Sequence, residues 1–243
     1  MSLGYLRAVL FQAGMVVATL VWAPLSLLTF PFPFRVRYYF ITQWSRFNTG
    51  WLTLTCGVRY RVTGREHLNR TEPAVVLSKH ESTWEVLALE GILPPKVWVL
   101  KRELLGIPLF GWALRLLKPI AIDRAAGKAA MEAIVEQGRE RLAQGIWVVV
   151  FPEGTRTRPG EKVKYRAGGA LLATRTGYPV LPIAHNSGDF WQQGRFVKRP
   201  GVVDVVIGPP IPSAGRRHQD VLAEAERWIE TTTARIRAGQ PAA

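Results

Sequence analysis

From residue 58 onward the chain alternates short apolar runs with stretches of helical periodicity. Residues 58–63 (Val, Arg, Tyr, Arg, Val, Thr) alternate as a half-exposed strand does, and Gly64 ends the run. Residues 74–77 and 97–100 are short, continuously apolar and read as buried strands. Further strands are expected over 119–122, 146–151, 178–184 and 202–207, with 146–151 the most strand-like run of all. Between them lie predicted helices. One opens at Ser82 or Thr83 as N-cap, and an apolar one over 104–117 is broken by Gly106, Pro108 and Gly111. A third runs over 125–144 with Gly145 as its stop, a small-residue helix covers 167–175, and an amphipathic helix over 219–237 closes the chain. Strands alternating with helices predict an α/β fold: a largely parallel central sheet flanked by helices. Residues 66–73 read as a polar loop, 191–200 as a basic and aromatic loop, and the last residues as a frayed tail.

The first third of the chain has a different pattern. From Ala8 to Phe34 no residue carries a formal charge, a length in the range that spans a bilayer. Pro24, Pro31 and Pro33 interrupt it, so a straight helix is expected only over about 6–23. Arg35, Arg37, Tyr38 and Tyr39 follow, then Trp44, Phe47, Trp51, Leu52 and Leu54 on a second expected helix. Cations beside amphipathic rings suit an interfacial anchor. No A-x-A cleavage site follows the apolar run, which argues against a signal peptide. The expected division is an N-terminal membrane-associated helical anchor over 1–56 and an α/β domain over 57–243.

Charge sharpens this picture. With 32 Lys and Arg against 18 Asp and Glu, the formal net charge is +14, which calls for an acidic partner. Nine tryptophans and ten phenylalanines favour an anionic phospholipid membrane over nucleic acid, for which the chain also lacks a recognition motif. Cys56 is the only cysteine, so an internal disulfide and cysteine metal sites are excluded. No Walker loop or dinucleotide-binding glycine pattern is present. His80-Glu81 opens like a zinc-protease motif, but its second histidine would fall at Trp84, so no metal is expected.

Candidate chemistry concentrates in Ser78-Lys79-His80-Glu81-Ser82-Thr83-Trp84-Glu85, between the strand at 74–77 and the helix that follows. Glu85 can accept from one imidazole nitrogen of His80 and leave the other free as a base. In one continuous helix the two would point about 140° apart, so the pairing requires His80 to precede the first regular turn. Arg124 and Arg156 also follow predicted strands. In a parallel sheet these three positions lie along one edge, where ligand sites form. His185, after the strand at 178–184, is a rival base or a structural loop histidine.

In order along the chain, His80 to Glu85, Lys118 to Arg124 (ending Ile-Asp-Arg), Phe151-Pro152-Glu153-Gly154-Thr155-Arg156 and Val180-Leu181-Pro182-Ile183 resemble the four blocks of the glycerolipid acyltransferase family, specifically the lysophosphatidic acid acyltransferases. The third block is the most specific. The family usually has Asp where this chain has Glu85, whose extra methylene reaches an imidazole from a slightly more distant backbone. The resemblance implies that His80, oriented by Glu85, deprotonates the sn-2 hydroxyl of lysophosphatidic acid. The oxygen then attacks the thioester of acyl-CoA or acyl-carrier protein as co-substrate, with no other cofactor. It implies that Arg124 and Arg156 bind the acceptor phosphate, and that Glu153, Gly154, Thr155 and Pro182 shape the substrate pocket. The apolar run followed by basic residues places such a catalytic domain on the cytoplasmic face of a bacterial-type inner membrane. Glycerol-3-phosphate or a lyso-ornithine lipid as acceptor, or a catalytically silent membrane-binding module, are the competing readings.

Overall fold

Helices and strands alternate in the computed structural model, which describes residues 2–69 and 71–240, with the side chain of Arg124 outside the described residues. Three helices come first: α1 (Leu3–Leu27), α2 (Phe34–Ile41) and α3 (Gln43–Cys56). The remainder runs β1 (Val58–Thr63), β2 (Val75–Ser78), α4 (Trp84–Ile92), β3 (Lys96–Lys101), α5 (Phe110–Arg115), β4 (Ile120–Ile122), α6 (Lys128–Ala143), β5 (Trp147–Val150), α7 (Gly168–Thr176), β6 (Val180–His185), β7 (Gly201–Ile207) and α8 (His218–Arg237).

The strands form one seven-stranded sheet in the order β1-β7-β6-β2-β5-β3-β4. From β2 to β6, each successive pair of strands is joined through a helix, the connection that parallel neighbours need, and β6, β2, β5, β3 and β4 are all parallel. No α-helix separates β6 from β7, and that pair is antiparallel, with β1 parallel to β7 beyond it. The sheet is therefore largely parallel, as expected.

Successive strand residues serve opposite faces. Val76, Leu181, Val149 and Trp98 join one core with Trp84 and Leu87 of α4 and Leu52 of α3. Val75, Leu77, Val148 and Val150 join the other with Ile134 of α6, Leu172 of α7 and Ile229 of α8. Burial on both faces explains why β2 and β5 read as unbroken apolar runs.

Several boundaries differ from the pattern. α1 runs through Pro24 to Leu27, one turn beyond the expected stop, because a proline withdraws only its own N–H. The Ser26 hydroxyl donates to the Trp22 carbonyl (2.7 Å) in that last turn. The stretch over 104–117 is two short pieces, a 3₁₀ turn over Arg102–Gly106 and then α5. Gly127, at φ 50°, separates a 3₁₀ turn from α6, which delays that helix to Lys128.

α1 and α3 cross closely at Gly14. A Cβ there would lie 2.0 Å from Trp51 Nε1, which donates to the Leu10 carbonyl (3.3 Å). Phe11 is fully buried in the core that β2 and α4 share. Lys198 Nζ lies 4.8–5.2 Å from the ring centroids of Phe11, Trp191 and Phe196, so the 191–200 loop fastens to the start of α1. The outer surface of α1 stays apolar and exposed, through Leu3, Val9, Val17, Leu20 and Val21. At 25 residues, α1 is long and apolar enough to cross a membrane.

Candidate active site

Three neighbouring parallel strands, β6, β2 and β5, end on the same side of the sheet, and the turns that follow them build the site. After β2, residues 79–83 form a turn ahead of α4, which puts His80 before the first helical turn, as its pairing with Glu85 requires. Glu85 lies in that first turn, where a carboxylate suits the helix dipole.

His80 Nδ1 lies 2.8 Å from Glu85 Oε1. The same oxygen accepts from the backbone N–H of Glu81 and Ser82, both at 2.9 Å. Glu85 Oε2 accepts from the hydroxyls of Ser82 (2.7 Å) and Ser187 (2.8 Å). Glu85 is fully buried, and burial alone would raise its pKa. The hydrogen bond from His80, nearby imidazole charge and the Ser82 N–H outweigh that, holding the carboxyl far below its usual range. An ionised Glu85 accepts a hydrogen bond from Nδ1–H, so the lone pair of His80 sits on Nε2.

The backbone of His80 is pinned as well. Its N–H donates to Glu153 Oε2 (2.7 Å), and its carbonyl accepts from the Thr157 N–H (2.8 Å) and hydroxyl (3.2 Å). The ring stacks on Phe151, centroids 3.8 Å apart and 11° from parallel. Burial is the main influence on the imidazole and lowers its pKa. Glu85 opposes this by hydrogen bond and charge, while Arg156 and His185 add to the lowering. The net shift is downward, so at neutral pH the His80 imidazole is uncharged and able to accept a proton.

His80 and Arg156 stand in the wall of a cavity of about 330 Å³. Most of the lining is apolar: Trp22 of α1, Trp44 of α3, Leu87 of α4, Trp98 of β3, and Phe110 and Leu114 of α5. Arg156 Nε is buried and makes no hydrogen bond among the described residues. Such an unpaired guanidinium nitrogen in the same wall as an imidazole is a ready partner for an anion.

The other expected site residues divide. Glu153 is buried and, besides the His80 N–H, holds Lys79 Nζ at 2.7 Å. It supports the His80 turn from behind and does not line this cavity. Gly154, at φ 71°, lines a separate cleft with Phe151 and Arg166. A Cβ on it would lie 2.5 Å from Arg166 Nε. Thr155 is exposed on the turn and absent from the cavity wall. Pro182 sits inside β6, paired with Leu77, with its carbonyl accepting from the Gly208 N–H (2.9 Å). Arg124 follows β4, three strands from β2 and so about 14 Å across the sheet, and its side chain lies outside the described residues. His185 is fully buried, with Nε2 2.8 Å from the Lys79 carbonyl and Nδ1 accepting from the Ser187 N–H (3.4 Å). Both of its nitrogens face backbone, which suits the structural reading and not the rival base.

Ser82, Phe151, Thr157 and Ser187 complete the site; sequence reasoning had Ser82 only as an N-cap candidate and Phe151 only as part of the third block, and it gave Thr157 and Ser187 no role. Phe151 opens the third block, Thr157 directly follows it, and Ser187 lies just past the fourth, so position relative to the blocks was the available signal. No group of three or more His, Cys, Asp or Glu suited to a metal ion occurs among the described residues.

Comparison with known proteins bears on this geometry. A family model described as Acyltransferase matches residues 59–186, more than half of the chain. The chain is 47% identical to the 1-acyl-sn-glycerol-3-phosphate acyltransferase of Pseudomonas aeruginosa over 237 residues, 95% of this chain and 91% of that protein. It is 35% identical to the human 1-acyl-sn-glycerol-3-phosphate acyltransferase alpha over 175 residues, 70% of this chain and 61% of the human protein. Its fold is that of the crystal structure of the 1-acyl-sn-glycerophosphate (LPA) acyltransferase from Thermotoga maritima. The TM-score is 0.78 over 96% of this chain and 95% of that one, at 22% identity. By model, by sequence and by the placement of its blocks, the chain belongs to the acyltransferase family, in the company of the 1-acyl-sn-glycerol-3-phosphate acyltransferases.

Proposed function

We propose that this chain transfers a fatty acyl group from acyl-CoA or acyl-carrier protein to the sn-2 hydroxyl of lysophosphatidic acid, giving phosphatidic acid at a membrane surface. The observation that carries this reading is the His80–Glu85 pair in the wall of an apolar cavity that also holds Arg156. His80 Nε2 takes the hydroxyl proton as the oxygen attacks the thioester carbonyl. The tetrahedral intermediate then collapses, the C–S bond breaks, and the imidazolium returns the proton to the departing thiolate. No covalent acyl-enzyme is needed, and Cys56 lies buried under α1, 3.6 Å from the Arg7 carbonyl, away from this chemistry. The apolar cavity suits a fatty chain, and the Arg156 guanidinium suits the acceptor phosphate, with Arg124 as its companion.

The exposed apolar surface of α1 and the net positive charge suit an anionic phospholipid leaflet, the cytoplasmic face of a bacterial inner membrane. There the acceptor arrives from the bilayer and the donor from water. The test is acceptor-dependent thiol release from acyl-CoA by wild type and His80→Ala in vesicles, across lysophosphatidic acid, glycerol-3-phosphate and lyso-ornithine lipid. Release with lysophosphatidic acid, lost in the variant, is expected. Equal rates in both proteins remove His80 from the mechanism, and preference for the phosphate-free lipid removes the acceptor assignment.

A further inference from the structure

His80 is flanked by two charged residues, Lys79 and Glu81, that are as buried as the core. Neither points into the catalytic cavity, and both are held by the last helix. Lys79 Nζ lies 2.8 Å from Glu230 Oε1 as well as 2.7 Å from Glu153 Oε1, and the Tyr165 hydroxyl donates to the same Glu230 oxygen (2.7 Å). Arg237 Nη2 donates to both oxygens of Glu81, at 2.7 and 2.8 Å. Its Nε reaches both oxygens of Asp189 at 3.2 Å, while Glu81 Oε2 also accepts from the Gly188 N–H (3.1 Å).

Glu230 and Arg237 are seven residues apart, two turns of one helix face, and so about 10 Å apart along α8. One rigid element thus holds the residue before His80 and the residue after it. A buried charge that loses its partner is costly, so these pairs leave the turn little freedom to shift. Yet α8 lies wholly outside residues 59–186, the part of the chain that the family model matches.

We propose that α8 is a positioning element of the catalytic turn. Glu230 and Arg237, acting through Lys79 and Glu81, set the main chain at His80 and so the direction of its Nε2. This rests on His80 being the base. Asp189, held by the same guanidinium, brings the end of the Ser187–Asp189 turn into register, and Ser187 in turn binds Glu85.

The test compares full-length Arg237→Ala, Arg237→Lys and Glu230→Gln with wild type in the thiol-release assay, with melting temperatures measured alongside. A misplaced reacting group costs up to about 100-fold in rate, so Arg237→Ala is expected to lower kcat by about 10- to 100-fold with both KM values within about twofold. Arg237→Lys is expected to recover most of the loss. Glu230→Gln is expected to lower kcat less, since Glu153 still holds Lys79. Glu81→Ala combined with Arg237→Ala is expected to be no slower than the worse single variant. A wild-type kcat in folded Arg237→Ala, or a rise confined to KM, overturns the proposal. If Arg237→Ala does not fold, Glu230→Gln decides: an unchanged kcat overturns the proposal, and a lowered kcat at unchanged KM and melting temperature sustains it. His80→Ala run in parallel separates the two readings. If it turns over like wild type, the base assignment fails and takes this one with it. If it is inactive while Arg237→Ala is not impaired, only the role of α8 fails.

Discussion

Two adjacent parallel strands, β2 and β6, deliver one histidine each to the same edge of the sheet, and the two have opposite fates. His80 gives Nδ1–H to a carboxylate and keeps Nε2 for the cavity. His185 spends both nitrogens on backbone, donating from Nε2 to the Lys79 carbonyl and accepting at Nδ1 from Ser187. Residue type and place in the fold are nearly the same. In the mechanism proposed above, what separates a base from a brace is whether the second nitrogen meets protein or open space. The pair also sits in series, because the carbonyl that His185 binds belongs to the residue before His80.

Removing the proposed base should have the largest effect. His80→Ala is expected to slow acyl transfer by about 10²–10⁴-fold with lipid binding retained, measured as single-turnover thiol release beside vesicle sedimentation. Loss of binding in step with activity would point to a structural histidine there too. Next comes the carboxylate. Glu85→Gln still accepts from Nδ1–H but removes the charge that sustains the imidazole's basicity, and a loss of about 10²-fold in kcat is expected.

The same variant sharpens the pH dependence. A base works only when unprotonated, so kcat/KM of the wild type should fall as pH drops through the depressed pKa of His80, below about 6.5. Glu85→Gln removes an influence that raises that pKa, so its acid limb should move to still lower pH. A limb that moves up would contradict the pairing. Stability should fall in the same direction. Unfolding frees His80 to bind a proton below its ordinary value, and Glu85 to bind one below about 4.5, so urea midpoints should decline first below pH 6.5 and then more steeply below pH 4.5.

The smallest change in rate belongs to the brace. His185→Gln should keep kcat within about tenfold of wild type while lowering stability by about 1–2 kcal/mol for the buried hydrogen bonds it disturbs, read by thermal melting. A loss as deep as that of His80→Ala would erase the distinction between the two histidines.

Much of the comparison was legible in residue order. β1 has the bounds that alternation predicts, and β3 exceeds its predicted run by one lysine at each end. One of these, Lys96, is buried against nearby Glu90 and against Tyr38, 58 positions earlier, a partner that no local pattern supplies. Pairing of His80 with Glu85 could be stated because five residues and a turn suffice to bring them together. The roles within the third block could not be divided so easily. Arg156 faces the cavity, Glu153 turns back to Lys79, and Thr155 faces water, because a tight turn sends neighbouring side chains in different directions. Pro182 reads as a pocket residue only through resemblance, since its strand lies inside the sheet. The direction of β7 and the grip of α8 depend on strand order and on residues some 150 positions apart, such as Lys79 and Glu230.

The cavity wall contributed by α1 and α3 has a practical consequence for handling this protein. Thr19, Trp22 and Ser26 belong to the same enclosure as His80, and Phe11 and Leu52 are fully buried in the central core. Cutting the chain before Val58 would therefore not release a soluble enzyme. It would open the enclosure on one side and expose Leu87, Trp98 and Leu89 to solvent, inviting aggregation. On the proposed membrane location, a water-soluble form is to be sought by resurfacing, with polar residues at outward positions such as Val9, Val16, Val17, Leu20 and Val21, while Gly14 and Phe11 on the inward side are left as they are.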